Sequence, residues 1–510
     1  MKLTGRDPPD PLAVSIMDTS LSPIPARRFR FAEARPLLGR AGFGGTPAQI
    51  SALQKMGPER AVRLFIDAAT SDDPDGTGDV EAVVDPDIIA PLSRDQRRQR
   101  QRARREGDEA VIAKFRAQRQ RRRTADRDQM QQLRTWWMSR LIATARPLRE
   151  KLVLLWHSHF ASNFRTVRDS NLMYLQNATF RRHACGNFGN LALEIVRDPA
   201  MIRFLNNNAN RKRKPNENLA RELMELFTLG EGHYSERDIK QGARALTGYT
   251  TYDNDFNFNA RIHDEGEKTI LGRTGDFDGD DFVRIILGRK QCARFVCTKL
   301  YRQFVADDET IDRPAELVIE RMARLLAEQR YEMAPVLRKL FLSRHFYDRA
   351  IMGARIKSPV QLVSGTIRAL RTPVRDVSLL VDAAASMGQH LFDPPSVAGW
   401  PGGRSWINTS TLFVRQNLTT YLITGKLPYE HDWKRSEMNY DPMFLLNGME
   451  RPAPEPVVDH LLSSLLSVQI ATDRRRQLIE FASAGDGRIT ADRLVGLLAL
   501  ITSMPEYQLC

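Results

Sequence analysis

Apolar residues recur along most of this chain at the three-and-four spacing of an amphipathic helix, and alternation of the strand type is confined to one short stretch. After the opening residues, ARPLLGRAGFGGTPAQISALQKMGPERAVRLFIDA predicts a helix that starts at Thr46 or Pro47, breaks at Gly57 and Pro58, and gives way to a second helix. From Met130, MQQLRTWWMSRLIATARPLREKLVLLWHSHFASNF is helical again. Leu152, Leu155, Trp156, His159 and Phe160 share one buried face there, which leaves His157 to one side. NLMYLQNATFRRHACGNFGNLALEIVRDPAM predicts a helix broken at Gly186 and Gly189. SERDIKQGARALTGY predicts one capped by Ser235, with Asp238 three residues on.

Two stretches depart from this period. Between Thr250 and Phe277, alternating aromatics and turn formers predict a loop or small hairpin. Helices resume with DDFVRIILGRKQCARFVCTKLYRQFV and run to about residue 375. GQHLFDPPSVAGWPGGRSWINTSTL then forms a second irregular loop, rich in glycine, proline and tryptophan, of the kind more often packed and functional than a linker. Helix returns from about residue 452. The fold class expected is therefore mainly α: a large multi-helix body with two ordered irregular loops and room for one small hairpin. In domain terms, residues 1–28 are expected to be a disordered tail and 29–510 a single large helical domain. Residues 71–128, an acidic loop followed by a basic helix, are expected as an exposed insertion.

Composition narrows the picture. Hydrophobic residues at 42%, charged residues at 27% and six Trp supply enough apolar surface for a core, which excludes global disorder. The opening MKLTGRDPPDPLAVSIMDTSLSPIPARRF has acids and prolines where a secretory signal would be apolar, so a cytoplasmic location is the default expectation. No apolar run long enough for a membrane span occurs. Cys185, Cys292, Cys297 and Cys510 form no CxxC pair and are expected as reduced thiols. The formal charge of +14 is local: residues 97–123 hold twelve basic and three acidic residues, a net +9, which leaves +5 for the rest. That run has one aromatic, Phe115, and is expected to be a solvated helix, with nucleic-acid association as the lesser alternative.

Several long motifs in order carry a resemblance: LLGRAGFGGTP, PLREKLVLLWHSHFAS, RRHACGNFGNL with RDPAM, PNENLARELMELFTLGEGHYSERDI running into ARALTGY, HDEGEKTILG, LFDPPSVAGWPGGRSWINTSTL and MPEYQL. Through them the chain resembles the bacterial domain-of-unknown-function family numbered 1800, from about residue 30 onward. The likeness specifies membership and not chemistry. The ARALTG motif usually ends in Trp in that family, whereas Tyr249 stands here, and residues 71–123 look like an elaboration of this member. Such proteins are often encoded beside another family that resembles sulfatases and alkaline phosphatases and frequently bears a twin-arginine export signal. The resemblance therefore implies that neighbour as a partner, and co-export with it as an alternative to the cytoplasm.

The candidate chemistry centres on PNENLARELMELFTLG. Asn216 is the expected N-cap, Glu217 sits at the positive end of the helix dipole beside Asn218, and Gly230 suits the C′ position. Glu217, Arg221 and Glu225 form an i, i+4, i+8 ladder that ion pairing explains. Glu222 lies on the border of the apolar arc, where a carboxylate needs a donor or keeps its proton. It either forms a structural pair with Arg244 of the next helix or lines a site as acid or base. His157 and His159 lie about 200° apart on a helix, so HxH is no metal clamp by itself. Together with His183 they remain the candidate ligands of a divalent metal, the one cofactor considered. His263, Asp264 and Lys268 sit in a turn-rich loop, and Trp400, Arg404 and Trp406 in the GWPGGRSW loop, as further catalytic or binding candidates. Nucleotide-binding and nucleophile-elbow motifs are missing. Two functions are thus expected to compete: a metal-assisted or acid/base hydrolase-like enzyme with Glu222 as base, and a non-enzymatic assembly partner of the neighbour-encoded protein.

Overall fold

Local sequence signals close the helices much as their spacing predicts. In the computed structural model, Thr46 caps the helix Pro47–Met56 through a reciprocal box with Gln49, and Gly57, at φ +75°, turns the chain into the helix Pro58–Thr70. Ser235 and Asp238 form the same box at the start of Glu236–Ala245. The structure describes residues 18–71, 84–307, 311–426, 440–447, 449 and 452–510. Among these residues there are 22 α-helices and two small antiparallel hairpins, so the fold is mainly α. One hairpin pairs Tyr249–Tyr252 with Asp255–Phe258 through Asp253 and Asn254, both at positive φ; the other pairs Lys268–Ile270 with Arg273–Gly275. Both fall in the stretch where the helical period lapses. No helix of the described residues is long and apolar enough to cross a membrane.

Several boundaries differ from expectation. Residues 18–28, assigned above to the disordered tail, pack onto the body: Leu21 and Ile24 are buried, and the backbone of Ile24 donates to Leu342 O at 2.8 Å. Residues 1–17 lie outside the described residues, as does 72–83 of the acidic loop. The basic run forms two helices, Arg94–Glu106 and the first half of Glu109–Ala143, joined at the left-handed Gly107. The second of these continues without interruption into the buried Met130–Leu141 segment, so the insertion is continuous with a core helix. Gly189 does not break its helix, because it falls within the first turn of Phe188–Arg197, where an unpaired backbone N–H is normal.

One contiguous apolar cluster runs from Leu21 to Tyr507. At its centre lies the helix Pro147–His159, with eleven of its thirteen residues buried. It is enclosed on all sides, so a single apolar face does not describe it. Glu150 on this helix is fully buried, yet accepts from Arg140 Nε (2.6 Å), Arg181 Nε (2.8 Å) and Nη2 (3.1 Å), and Trp137 Nε1 (3.2 Å). Burial opposes its charge, but the two guanidinium groups win and hold its pKa down at about 2. This cluster ties three helices together and leaves the far end of Pro147–His159, the WHSHF segment, to face the second irregular loop.

Candidate functional site

That loop is held by contacts distant in sequence. Trp400 N donates to Ser158 Oγ at 3.1 Å, Phe164 N to Phe392 O at 3.0 Å, and Arg165 Nε to Asp393 Oδ1 at 2.9 Å. The approach of the loop to the WHSHF helix requires glycine at position 399, which has φ +85° and where a Cβ would collide with the Ser158 carbonyl. Gly402 and Gly403 also take positive φ, and Trp406 packs beside Gly388.

Between this loop, the WHSHF helix and the helix Lys290–Phe304 lies a cleft of 390 Å³. Lys151, Lys299, Arg302 and Arg355 line it, with Asp307 as the one acid among the described residues. Lys151 gives its ammonium to Gly39 O (3.0 Å) and Gly42 O (2.6 Å), and complete burial lowers its pKa well below the ordinary value. Lys299 has no hydrogen bond or ion pair among the described residues; burial, and secondarily Arg302, lower its pKa. Its ammonium stands 5.2 Å from the Phe295 ring centre. Arg355 is 6% exposed, and among the described residues neither its Nε nor its Nη1 meets an acceptor. Trp400 and Trp406 form an apolar wall, and Trp400 Nε1 also lacks a partner among the described residues.

His159 closes one end. Its Nε2 lies 2.9 Å from the Phe227 carbonyl, which can only accept, so this nitrogen carries the proton and the unpartnered Nδ1 holds the lone pair. Burial, reinforced by Lys299, brings its pKa down to about 3, and the ring is neutral. His157 is fully buried among Trp137, Phe180, Phe392 and Trp400, and neither ring nitrogen has a partner among the described residues. It too is held neutral, at about 3, by burial.

Other expected site residues are spent elsewhere. Asn216 does not cap the helix it precedes, because that helix starts one residue later than expected, as Asn218–Glu225 with Glu217 at the N-cap; the Asn216 side chain instead accepts from Asn218 N at 3.0 Å. Gly230 does take a left-handed φ of +83°, but four residues of turn separate it from Glu225. The Glu217–Arg221–Glu225 ladder is half formed. Arg221 binds Glu217 (3.2 Å) and, through two bonds of 2.8 and 2.9 Å, Glu236; Glu225 accepts from Tyr234 Oη at 2.6 Å. A bidentate fork to Glu236 outcompetes a single contact along the helix.

The expected Glu222–Arg244 pair is absent, because Arg244 is engaged by Asp264 at 2.7 and 3.0 Å. Glu222 is half-buried without a partner among the described residues, and burial, then Glu225, raises its pKa. His263 Nδ1 is 2.6 Å from Thr247 O, and the buried Lys268 donates to Asp276 Oδ1 at 2.9 Å, so both side chains are engaged by residues that flank HDEGEK. His183 stands 3.8 Å from Glu194, apart from the other two histidines. Among the described residues no three His, Cys, Asp or Glu gather as metal ligands.

Of the sequence candidates, His159, Trp400 and Trp406 line the cleft, and Arg404 lines the adjoining hollow with Asp307 and Gly403. The cations Lys299, Arg302 and Arg355 were not singled out. Lys299 had a signal: in CARFVCTKLYRQF it follows Val296 by three positions, at the edge of an apolar arc, as Glu222 does in its helix. Arg355 lies outside any helical period and had none.

Neither the curated proteins nor the solved structures contain a match to the chain. The model of one family, described as a protein of unknown function (DUF1800), matches residues 36–509, nearly the whole chain, and with those motifs in that order the chain belongs to this family.

Proposed function

We propose that the chain binds a small organic anion in the cleft between the WHSHF helix and the GWPGG loop. The observation that carries this reading is the set of cationic donors there: among the described residues, half-buried Lys299 has no acceptor and buried Arg355 has two guanidinium nitrogens unmet, beside the single carboxylate of Asp307. Uncompensated buried charge is costly, and an anionic ligand supplies the missing acceptors. Trp400 and Trp406 suit a ligand with an apolar or ring-shaped portion beside its charged group. His159 lines the cleft and Glu222 does not, but with its pKa held near 3 the ring is a poor proton acceptor at neutral pH. The assembly role with a sulfatase- or phosphatase-like neighbour rests on the family resemblance alone.

The test is a thermal-shift panel of phosphate, sulfate, citrate and a sugar phosphate, followed by calorimetry. At least one anion should raise the Tm of the native chain, and Lys299→Met and Arg355→Met should each abolish that rise. A panel without any stabilising anion, or an unchanged shift in both variants, would overturn the reading.

A further inference from the structure

The helices Arg94–Glu106 and Glu109–Ala143 run side by side from their turn at Gly107 and enclose a second groove, of 560 Å³, away from the cleft. Arg100 and Arg104 lie one turn apart on the first wall. Arg116, Arg119 and Arg123 occupy one face of the second, at i, i+3 and i+7. None of these five guanidinium groups makes an ion pair with a described residue, whereas the flanking Arg97 and Arg102 are matched by Asp253 and Glu106. Arg122 donates to the Ala90 carbonyl at 2.7 Å, which ties the second helix to the segment of Ile89, Ala90 and Leu92 that also lines the groove. The second helix further contributes Ile112 and half-buried Phe115 to the lining.

Like charges one turn apart destabilise a helix, so five unpaired arginines facing one concavity form a surface that an anionic polymer completes. The planar fork of guanidinium matches phosphate oxygens in pairs. The concave form, with arginine on both walls, suits a single strand better than the broad cylinder of a duplex. Phe115 offers a ring face to a base. A lipid surface fits less well, because no large apolar residue on these two helices is exposed to insert into it.

We propose that this groove binds single-stranded nucleic acid through its phosphate backbone, without base specificity. Five phosphate contacts predict that log K falls with log salt at a slope of about −3.5. The assay is fluorescence anisotropy of the full chain with a labelled oligothymidylate of twenty nucleotides, alongside a duplex of equal length, polyglutamate, and vesicles of phosphatidylserine and phosphatidylcholine. Two variants of equal net charge separate the groove from bulk charge. One carries Arg100→Gln, Arg104→Gln, Arg116→Gln and Arg119→Gln. The other carries Arg94→Gln, Arg98→Gln, Arg105→Gln and Arg121→Gln, none of which lines the groove.

The groove variant should lose about a hundredfold in affinity and most of the salt slope, and the control variant less than about fivefold. Equal losses in the two variants, no binding of the single strand, or tighter binding of the duplex, polyglutamate or vesicles would each overturn the proposal. Should the groove variant lose its helical circular dichroism, the native chain's preference among the four probes and its salt slope still decide.

Discussion

His157→Phe isolates the cost of burying one imidazole. The ring sits among four aromatic side chains with neither nitrogen partnered, and its pKa is lowered from 6.5 to about 3 because burial disfavours the cation. Since the folded value lies below the unfolded one, the unfolded chain takes up the proton first. The contribution of this residue to stability is therefore constant well above pH 6.5 and is lost as the pH falls from there toward 3. Between pH 7 and pH 5 that loss is about 2 kcal/mol for one such group. Phenylalanine fills nearly the same space and binds no proton. The variant should be at least as stable as the native chain at pH 7, since two unsatisfied polar atoms are gone, and its advantage should widen by about 2 kcal/mol at pH 5. Urea denaturation of both chains at the two pH values, followed by tryptophan fluorescence, measures this. The difference between the chains cancels every other titrating group that His157 does not touch. A gap independent of pH would refute the reasoning, for it would mean that the imidazole keeps its proton affinity in the folded chain.

Three further outcomes follow from the packing. Glu150→Gln removes the buried charge that Arg140 and Arg181 both face and should cost about 3–5 kcal/mol in denaturation, with the native advantage present above pH 4.5 and lost as the pH falls toward 2. Gly399→Ala forces a Cβ against the Ser158 carbonyl at a positive φ; it should lower stability by about 2 kcal/mol or more and displace Trp400, read as a shift in tryptophan emission. Glu222→Gln removes a half-buried carboxylate that has no partner and should change stability by less than about 0.5 kcal/mol at neutral pH; a loss of several kcal/mol would reveal a pair the structure does not show.

The sequence by itself determined the class of fold, most helix starts and stops, the family, and two of the three elements around the cleft. These are local matters. The boxes of Thr46 with Gln49 and Ser235 with Asp238 close within three residues, and Gly57 turns the chain because no other residue adopts that φ without strain. Which charged groups meet was decided by tertiary structure. Arg221 had Glu225 one turn away and took Glu236, in the next helix; Arg244 had Glu222 as a candidate and took Asp264. Spacing cannot rank such partners, because a fork-shaped donor prefers whichever carboxylate the packing brings in line with both of its nitrogens. The cleft itself depends on Trp400 reaching Ser158 across 242 residues, and on Lys299 and Arg355 being carried to its walls by elements with no common sequence pattern. Burial and charge compensation act through space, so they became visible only where the folded chain brought those side chains together.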